Sequence, residues 1–174
     1  MARSLTVAEP SGLTPDQRRA THRRAQWDVL AMISAGGALG AVARSALATA
    51  FPAAPGSFPW TTFVINTTGC LLIGVLMTLV TEVWVTQRLI RPFLGAGVLG
   101  GFTTFSTYVV DIQRLVGLRA AGIALGYLAG TVVAALAATY AGMAAARLGV
   151  QAAHRAKTRR AKTHHTETRR RRTR

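Results

Sequence analysis

Gly100-Gly101-Phe102-Thr103-Thr104-Phe105-Ser106-Thr107-Tyr108 lies in the middle of an apolar stretch. Two glycines and three aromatic rings surround four hydroxyl side chains there. Helices that span lipid rarely concentrate so many polar groups, because each one left unpaired in hydrocarbon costs several kcal/mol. The paired glycines weaken a helix. A break at this point frees backbone amides and carbonyls at membrane depth. Such a break is stable only where protein buries it or where it lines a watery path. The run is therefore predicted to interrupt a membrane helix and to mark where a solute crosses.

Crossing the hydrocarbon core as a helix takes about 20 mainly apolar residues. Four segments qualify, at about 29–50, 60–83, 92–110 and 120–146. The predicted fold is an all-α integral membrane protein with four transmembrane helices, the third broken at its centre. The first connection, Phe51-Pro52-Ala53-Ala54-Pro55-Gly56-Ser57-Phe58-Pro59, is uncharged and holds three prolines. The second contains Glu82, Arg88 and Arg91, and the third Asp111, Arg114 and Arg119.

The chain has 174 residues, is 50% hydrophobic, and still carries a formal charge of +15. Mapping the charge removes the contradiction. Five arginines lie in residues 1–27 and ten lysines and arginines in 151–174. The body, 28–150, has six arginines and three acids, Asp28, Glu82 and Asp111. One membrane domain flanked by two disordered basic tails is expected. Four crossings put both termini on one side. The positive-inside rule then places them in the cytoplasm, with the protein multi-pass in the cell's inner (plasma) membrane. Arg88 and Arg91 agree with that orientation, while Arg114 and Arg119 oppose it.

The lone Cys70 lies in an apolar segment and forms no intrachain disulfide. No secretory signal peptide is apparent, since the first 27 residues are polar and the first apolar segment is too long for a signal h-region. Gly36 and Gly40 are four apart, as are Gly122, Gly126 and Gly130. Small residues at this spacing let helices approach closely in lipid, so the second set predicts a packed face.

Several polar residues need a reason. Arg44 is the only charge well inside a predicted span. It either snorkels to the interface or lines an electropositive vestibule. Asn66, in the second span, needs a partner for its carboxamide. An interhelical hydrogen bond is the commoner role, and contact with a permeant anion is the other. Thr103, Thr104, Ser106 and Thr107 can bond back to carbonyls one turn earlier, which accounts less easily for four together. Phe105 and Tyr108 share a helical face. Tyr127 and Thr131 form a short polar stripe on the last helix, turned toward protein rather than lipid.

No catalytic constellation is present, and an enzyme is not expected. All four histidines lie in the tails, and no metal-ligand spacing, phosphate loop or dinucleotide fingerprint occurs.

These residues together resemble the small fluoride channel family known as Fluc or CrcB, over about residues 36–140. The elements are Gly36-Gly37-Ala38-Leu39-Gly40-Ala41 followed by Arg44, then Asn66 with Gly69, then Gly100-Gly101-Phe102-Thr103-Thr104-Phe105-Ser106-Thr107. The resemblance implies passive, fluoride-selective export that lowers toxicity in the cytoplasm. It implies an antiparallel, dual-topology-type dimer with two pores at its interface. It also implies one structural Na+ on the dimer axis, held by backbone carbonyls that correspond to those of Gly100 and Thr103. The pore residues then fall on Asn66, Phe105, Ser106, Thr107, Tyr108, Tyr127 and Thr131, with Arg44 in the vestibule.

Three departures from the family pattern stand out. Tyr108 occupies the place of a second phenylalanine. Its hydroxyl can donate to fluoride, reorient the ring or impair one pore. Ala135 stands where serine is frequent, and Asp111 where glutamate is. The basic tails favour a single orientation, whereas an inverted homodimer needs both. The partner is thus expected to be a second copy or a related chain, giving a homodimer or a heterodimer within the lipid bilayer.

Two other readings compete. A small multidrug exporter needs a membrane-embedded carboxylate, and the first span offers only Arg44, which repels cationic drugs. A membrane-anchored polyanion binder acting through residues 155–174 is the other. The tail lacks interleaved aromatic residues, so no nucleic-acid partner is expected.

Overall fold

The computed structural model describes residues 15–83 and 89–172, and it is helical throughout apart from short connections. Helix α1 runs Pro15–Ala50 and α2 runs Trp60–Glu82. The third crossing has two halves. Its first half, α3, is a π-helical stretch, Arg91–Leu99, continued by one α-turn, Gly100–Phe102. Its second half is α4, Phe105–Gly117, and α5 then runs Ala121–Arg172. Four stretches among the described residues are long and apolar enough to cross a membrane: Gln26–Ala50, Trp60–Glu82, Arg91–Gly117 and Ala121–Arg155. The chain is thus a multi-pass membrane protein.

Three boundaries differ from the expectation. The third span continues to Gly117 rather than ending near residue 110, because α4 stays helical past Asp111 and Arg114, beyond the point where the apolar run ends. Helix also enters both stretches assigned to tails. Pro15 opens α1, at a position where its missing N–H is one of the helix's unpaired donors anyway. At the other end, adding a turn to an existing helix is far easier than nucleating one, and α5 continues into the basic segment. Residues 1–14, 173 and 174 lie outside the described residues, as does Arg88.

The break itself sits at Thr103 (φ −80°, ψ 157°) and Thr104 (φ −146°, ψ 121°), both extended. Threonine's branched Cβ favours that conformation. Thr104 then restarts the helix as its N-cap, accepting the Thr107 amide on Oγ1 at 3.2 Å. With Thr103 near the middle of Arg91–Gly117, the interruption falls at the centre of the crossing.

Glycines set how close the helices come. α1 packs along α3, and α2 along α5, with α4 against α5. At Gly36, an added Cβ would lie 2.9 Å from the Val98 amide nitrogen, and at Gly97, 3.0 Å from the Gly36 Cα. Gly40 and Gly101 are equally tight against Val98 and Gly37. Gly74 and Gly142 perform the same service between α2 and α5. The packed face expected at Gly122, Gly126 and Gly130 is absent within the protomer. Nothing lies within 4 Å of a Cβ at any of the three, because they are on the outer side of α5.

An aromatic core closes one end. Tyr108, Leu115, Ala124 and Tyr127 are buried together, with Phe58 and Phe63 against them. Phe58 belongs to the proline-rich turn, and its ring meets Tyr127 edge-on at 5.2 Å. α4 ends in a Schellman motif: the Arg119 amide donates to Val116 and the Ala120 amide to Leu115. Arg119 occupies the left-handed position of that motif at φ 57°.

Candidate ion pathway

One carboxamide closes the break. Asn66 Nδ2 donates to the Thr104 carbonyl at 2.9 Å, and the Thr104 amide donates back to Asn66 Oδ1 at 2.9 Å. The side chain thereby satisfies the Thr104 amide, which the interruption leaves open, and adds a second donor to the Thr104 carbonyl that starts α4. An amide NH₂ has two donors, so one hydrogen of Nδ2 remains for another acceptor.

That pairing alters the carbonyls beside it. In a continuous helix the Thr104 amide would serve the Gly100 carbonyl, and the Thr107 amide the Thr103 carbonyl. Both amides are engaged elsewhere, by Asn66 and by the Thr104 hydroxyl. The Gly101 carbonyl accepts from Arg44 Nε at 3.2 Å. Arg44 is half-buried, and its Nε ties α1 to the carbonyl end of α3. A cation is well placed there, since a helix C-terminus carries partial negative charge. The N-terminus of α4, across the break, carries partial positive charge.

Of the four hydroxyls, one back-bonds: Thr103 Oγ1 donates to the Leu99 carbonyl at 2.9 Å. The other three cluster at the start of α4. Thr104 Oγ1 donates to Thr107 Oγ1 at 3.0 Å and lies 3.3 Å from Ser106 Oγ. Thr104 is thus the hub of the cluster. Composition marked it as one hydroxyl among four and gave no sign that it would cap the helix and pair with Asn66.

Asn66, Thr103, Thr104, Phe105, Tyr108 and Thr131 line a single cavity of about 280 Å³, completed by Cys70, Val132 and Ala135. Its wall is mostly carbon. Thr131 Oγ1 is buried and has no hydrogen-bond partner among the described residues. The Tyr108 hydroxyl donates to the Leu128 carbonyl at 2.9 Å. Phe105 is 77% exposed, in contrast to Tyr108 at 8%, although their rings lie 5.9 Å apart. Ser106 and Gly100 are exposed beside Phe105.

Tyr127 does not line this cavity. It is the most deeply buried large side chain, and its ring lies 5.1 Å from that of Tyr108. Its hydroxyl has no partner in hydrogen-bond geometry, and its neighbours are Thr62 and Asp111. Those two are joined, Thr62 Oγ1 donating to Asp111 Oδ2 at 2.8 Å. Asp111 also borders a second cavity, of about 530 Å³, walled by the turn at residues 53–59 together with Arg114, Leu115 and Leu118. The polar groups thus run from this mouth, through Asp111, Thr62 and Tyr127, to Thr131 and Asn66. Thr62 was missed from sequence because its partner is 49 residues away and no local pattern links them.

Residues 31–143 match the family described as CrcB-like protein, Camphor Resistance (CrcB). The chain is 58% identical over 127 residues to the fluoride-specific ion channel FluC 2 of Nocardia farcinica, covering 73% of this chain and 91% of that protein. It is 50% identical over 127 residues to FluC 2 of Streptomyces avermitilis, covering 72% and 80% respectively. With FluC 2 of Thermobifida fusca the identity is 47% over 133 residues, 76% of this chain and 98% of the relative. Broken third crossing, glycine-packed helices and sequence agree, and the chain belongs to the CrcB family.

Proposed function

We propose that this protein is a passive, fluoride-selective channel that lets the anion leave the cytoplasm. The observation that carries the reading is the small cavity at the helix break, lined by Asn66, whose amide is half used, and by Thr131, whose buried hydroxyl has no partner among the described residues. Fluoride is small and strongly hydrated, so its entry is costly unless donors replace its water. Amide and hydroxyl hydrogens supply that replacement. They carry no full charge that would trap the ion. Phe105 and Tyr108 add ring edges, which are the positive rim of the aromatic quadrupole. Ser106 and Thr107 continue the hydroxyl lining, Tyr127 extends it toward Asp111, and Arg44 raises the local potential near the entrance.

The protomer supports assembly with a second chain. Phe105, Ser106 and Gly100 are exposed at the break, at mid-membrane depth. Lipid does not satisfy interrupted backbone, so protein must cover this face. An inverted partner does so and brings a second set of donors to each pathway. The basic flanks fix orientation, which favours a related chain over another copy as the inverted partner. Streptomyces avermitilis, for example, has two chains similar to this one, its FluC 2 and FluC 3.

The carbonyls of Gly100 and Thr103 suit a structural Na+ at the dimer axis. Both have lost the donors that a continuous helix supplies, and carbonyl ends of half-helices are preferred sodium ligands in membrane proteins. The ion would add positive charge beside the pathway and hold two breaks together. Residues 28–150 form the channel body, and the basic segments 1–27 and 151–174 set topology with both termini in the cytoplasm of an inner-membrane protein. Fluoride release from vesicles containing the purified assembly tests the reading: efflux is expected, and an impermeable but intact assembly would refute it.

A further inference from the structure

We propose that Tyr108 is a positioning residue whose hydroxyl is withheld from the permeant anion. This rests on the fluoride pathway proposed above. A phenol has one proton to donate. In this chain that proton goes to the Leu128 carbonyl at 2.9 Å, joining α4 to α5 across 20 residues of sequence. Tyr108 is 8% exposed and its ring is held on two sides, by Phe105 at 5.9 Å and Tyr127 at 5.1 Å. The phenol oxygen therefore has only lone pairs left, which repel an anion. What remains for the cavity is the carbon-bound rim of the ring. The side chain acts toward fluoride as a phenylalanine would, with its orientation fixed by α5. Donation is left to other groups that line the cavity, namely the second Nδ2 hydrogen of Asn66 and the Thr131 hydroxyl, which has no partner among the described residues.

The chain has three tyrosines, Tyr108, Tyr127 and Tyr140, so labelling their ring Cζ carbons with carbon-13 gives three nuclear magnetic resonance signals. Tyr108→Phe removes and thereby assigns one. Tyr140 is 73% exposed and serves as the reference. Adding sodium fluoride to the reconstituted assembly is expected to leave the Tyr108 hydroxyl-bearing carbon in place relative to Tyr140. A fluoride-dependent shift at Tyr108 would overturn the proposal. Tyr108→Phe, which loses the tie to Leu128, is expected to melt at lower temperature, while in efflux assays Tyr108→Leu, which removes the ring, lets chloride through. If the hydroxyl instead donates to the ion, Tyr108→Phe slows fluoride by roughly tenfold or more with unchanged melting, the loss expected for a hydrogen bond to a charged partner. A wild-type assembly that passes no fluoride would remove the pathway reading itself. The Tyr108–Leu128 strut would then stand on the lowered melting temperature of Tyr108→Phe, and unchanged melting would overturn it.

Discussion

Asn66 has two tasks that are in tension. Its carboxamide holds the Thr104 backbone in register on both sides, and the same NH₂ group has a hydrogen to offer to the cavity. Asn66→Ala leaves the half-buried Thr104 amide unpaired, for a loss of about 2 kcal/mol in stability and of fluoride efflux together. Asn66→Asp separates the tasks. It keeps the acceptor for the Thr104 amide, discards the donor, and places a negative charge beside an anion path. Fluoride efflux is expected to vanish while the protein still purifies intact; retained efflux would show that the carboxamide does not face the ion. From sequence alone, a polar residue in a span announces only that it needs a partner. Which partner depends on a break 38 residues away, and no local rule supplies that.

At the level of helices, the informative contrast is between two sets of glycines with the same spacing. Gly40 is packed against the Val98 and Phe102 backbone, whereas Gly126 meets nothing within its protomer. Gly40→Ala is expected to force α1 away from α3, at a cost of about 1–3 kcal/mol, seen as a lower melting temperature of the purified protein. Gly126→Ala leaves the protomer's own packing unchanged. The sequence pattern is identical in both cases, since periodicity says which residues share a face and not what the face meets. The four crossings and the break were legible because length and composition decide them. The pairing of α1 with α3 and of α2 with α5 was not, because it depends on contacts between distant segments. The end of α4 offers another check. Arg119 pays the steric cost of a left-handed residue with a Cβ. Arg119→Gly relieves it, and even after the greater freedom of glycine in the unfolded chain a gain of up to about 1 kcal/mol is expected in thermal unfolding.

The whole molecule is an incomplete object in lipid. It has interrupted backbone at mid-depth, an exposed Phe105 beside it, and polar groups that lead from a mouth at Asp111 to the break. In the assembly proposed above a second chain completes it, and the strong basic flanks bias how each chain inserts. Deleting residues 151–174 is expected to leave fluoride transport per inserted molecule unchanged while mixing the two orientations, as read by the accessibility of an N-terminal tag from each side. Lost transport with normal orientation would give the segment a direct part in conduction. The most direct test of the central claim is ion release from liposomes reconstituted with the assembly that this chain forms in its own membrane, purified through a tag on this chain, with fluoride and chloride followed by selective electrodes. Fluoride is predicted to escape rapidly while chloride stays inside, and Asn66→Asp is predicted to stop the fluoride. An intact assembly that holds fluoride in, or that releases both ions alike, would contradict a fluoride pathway at the Thr103-Thr104 break.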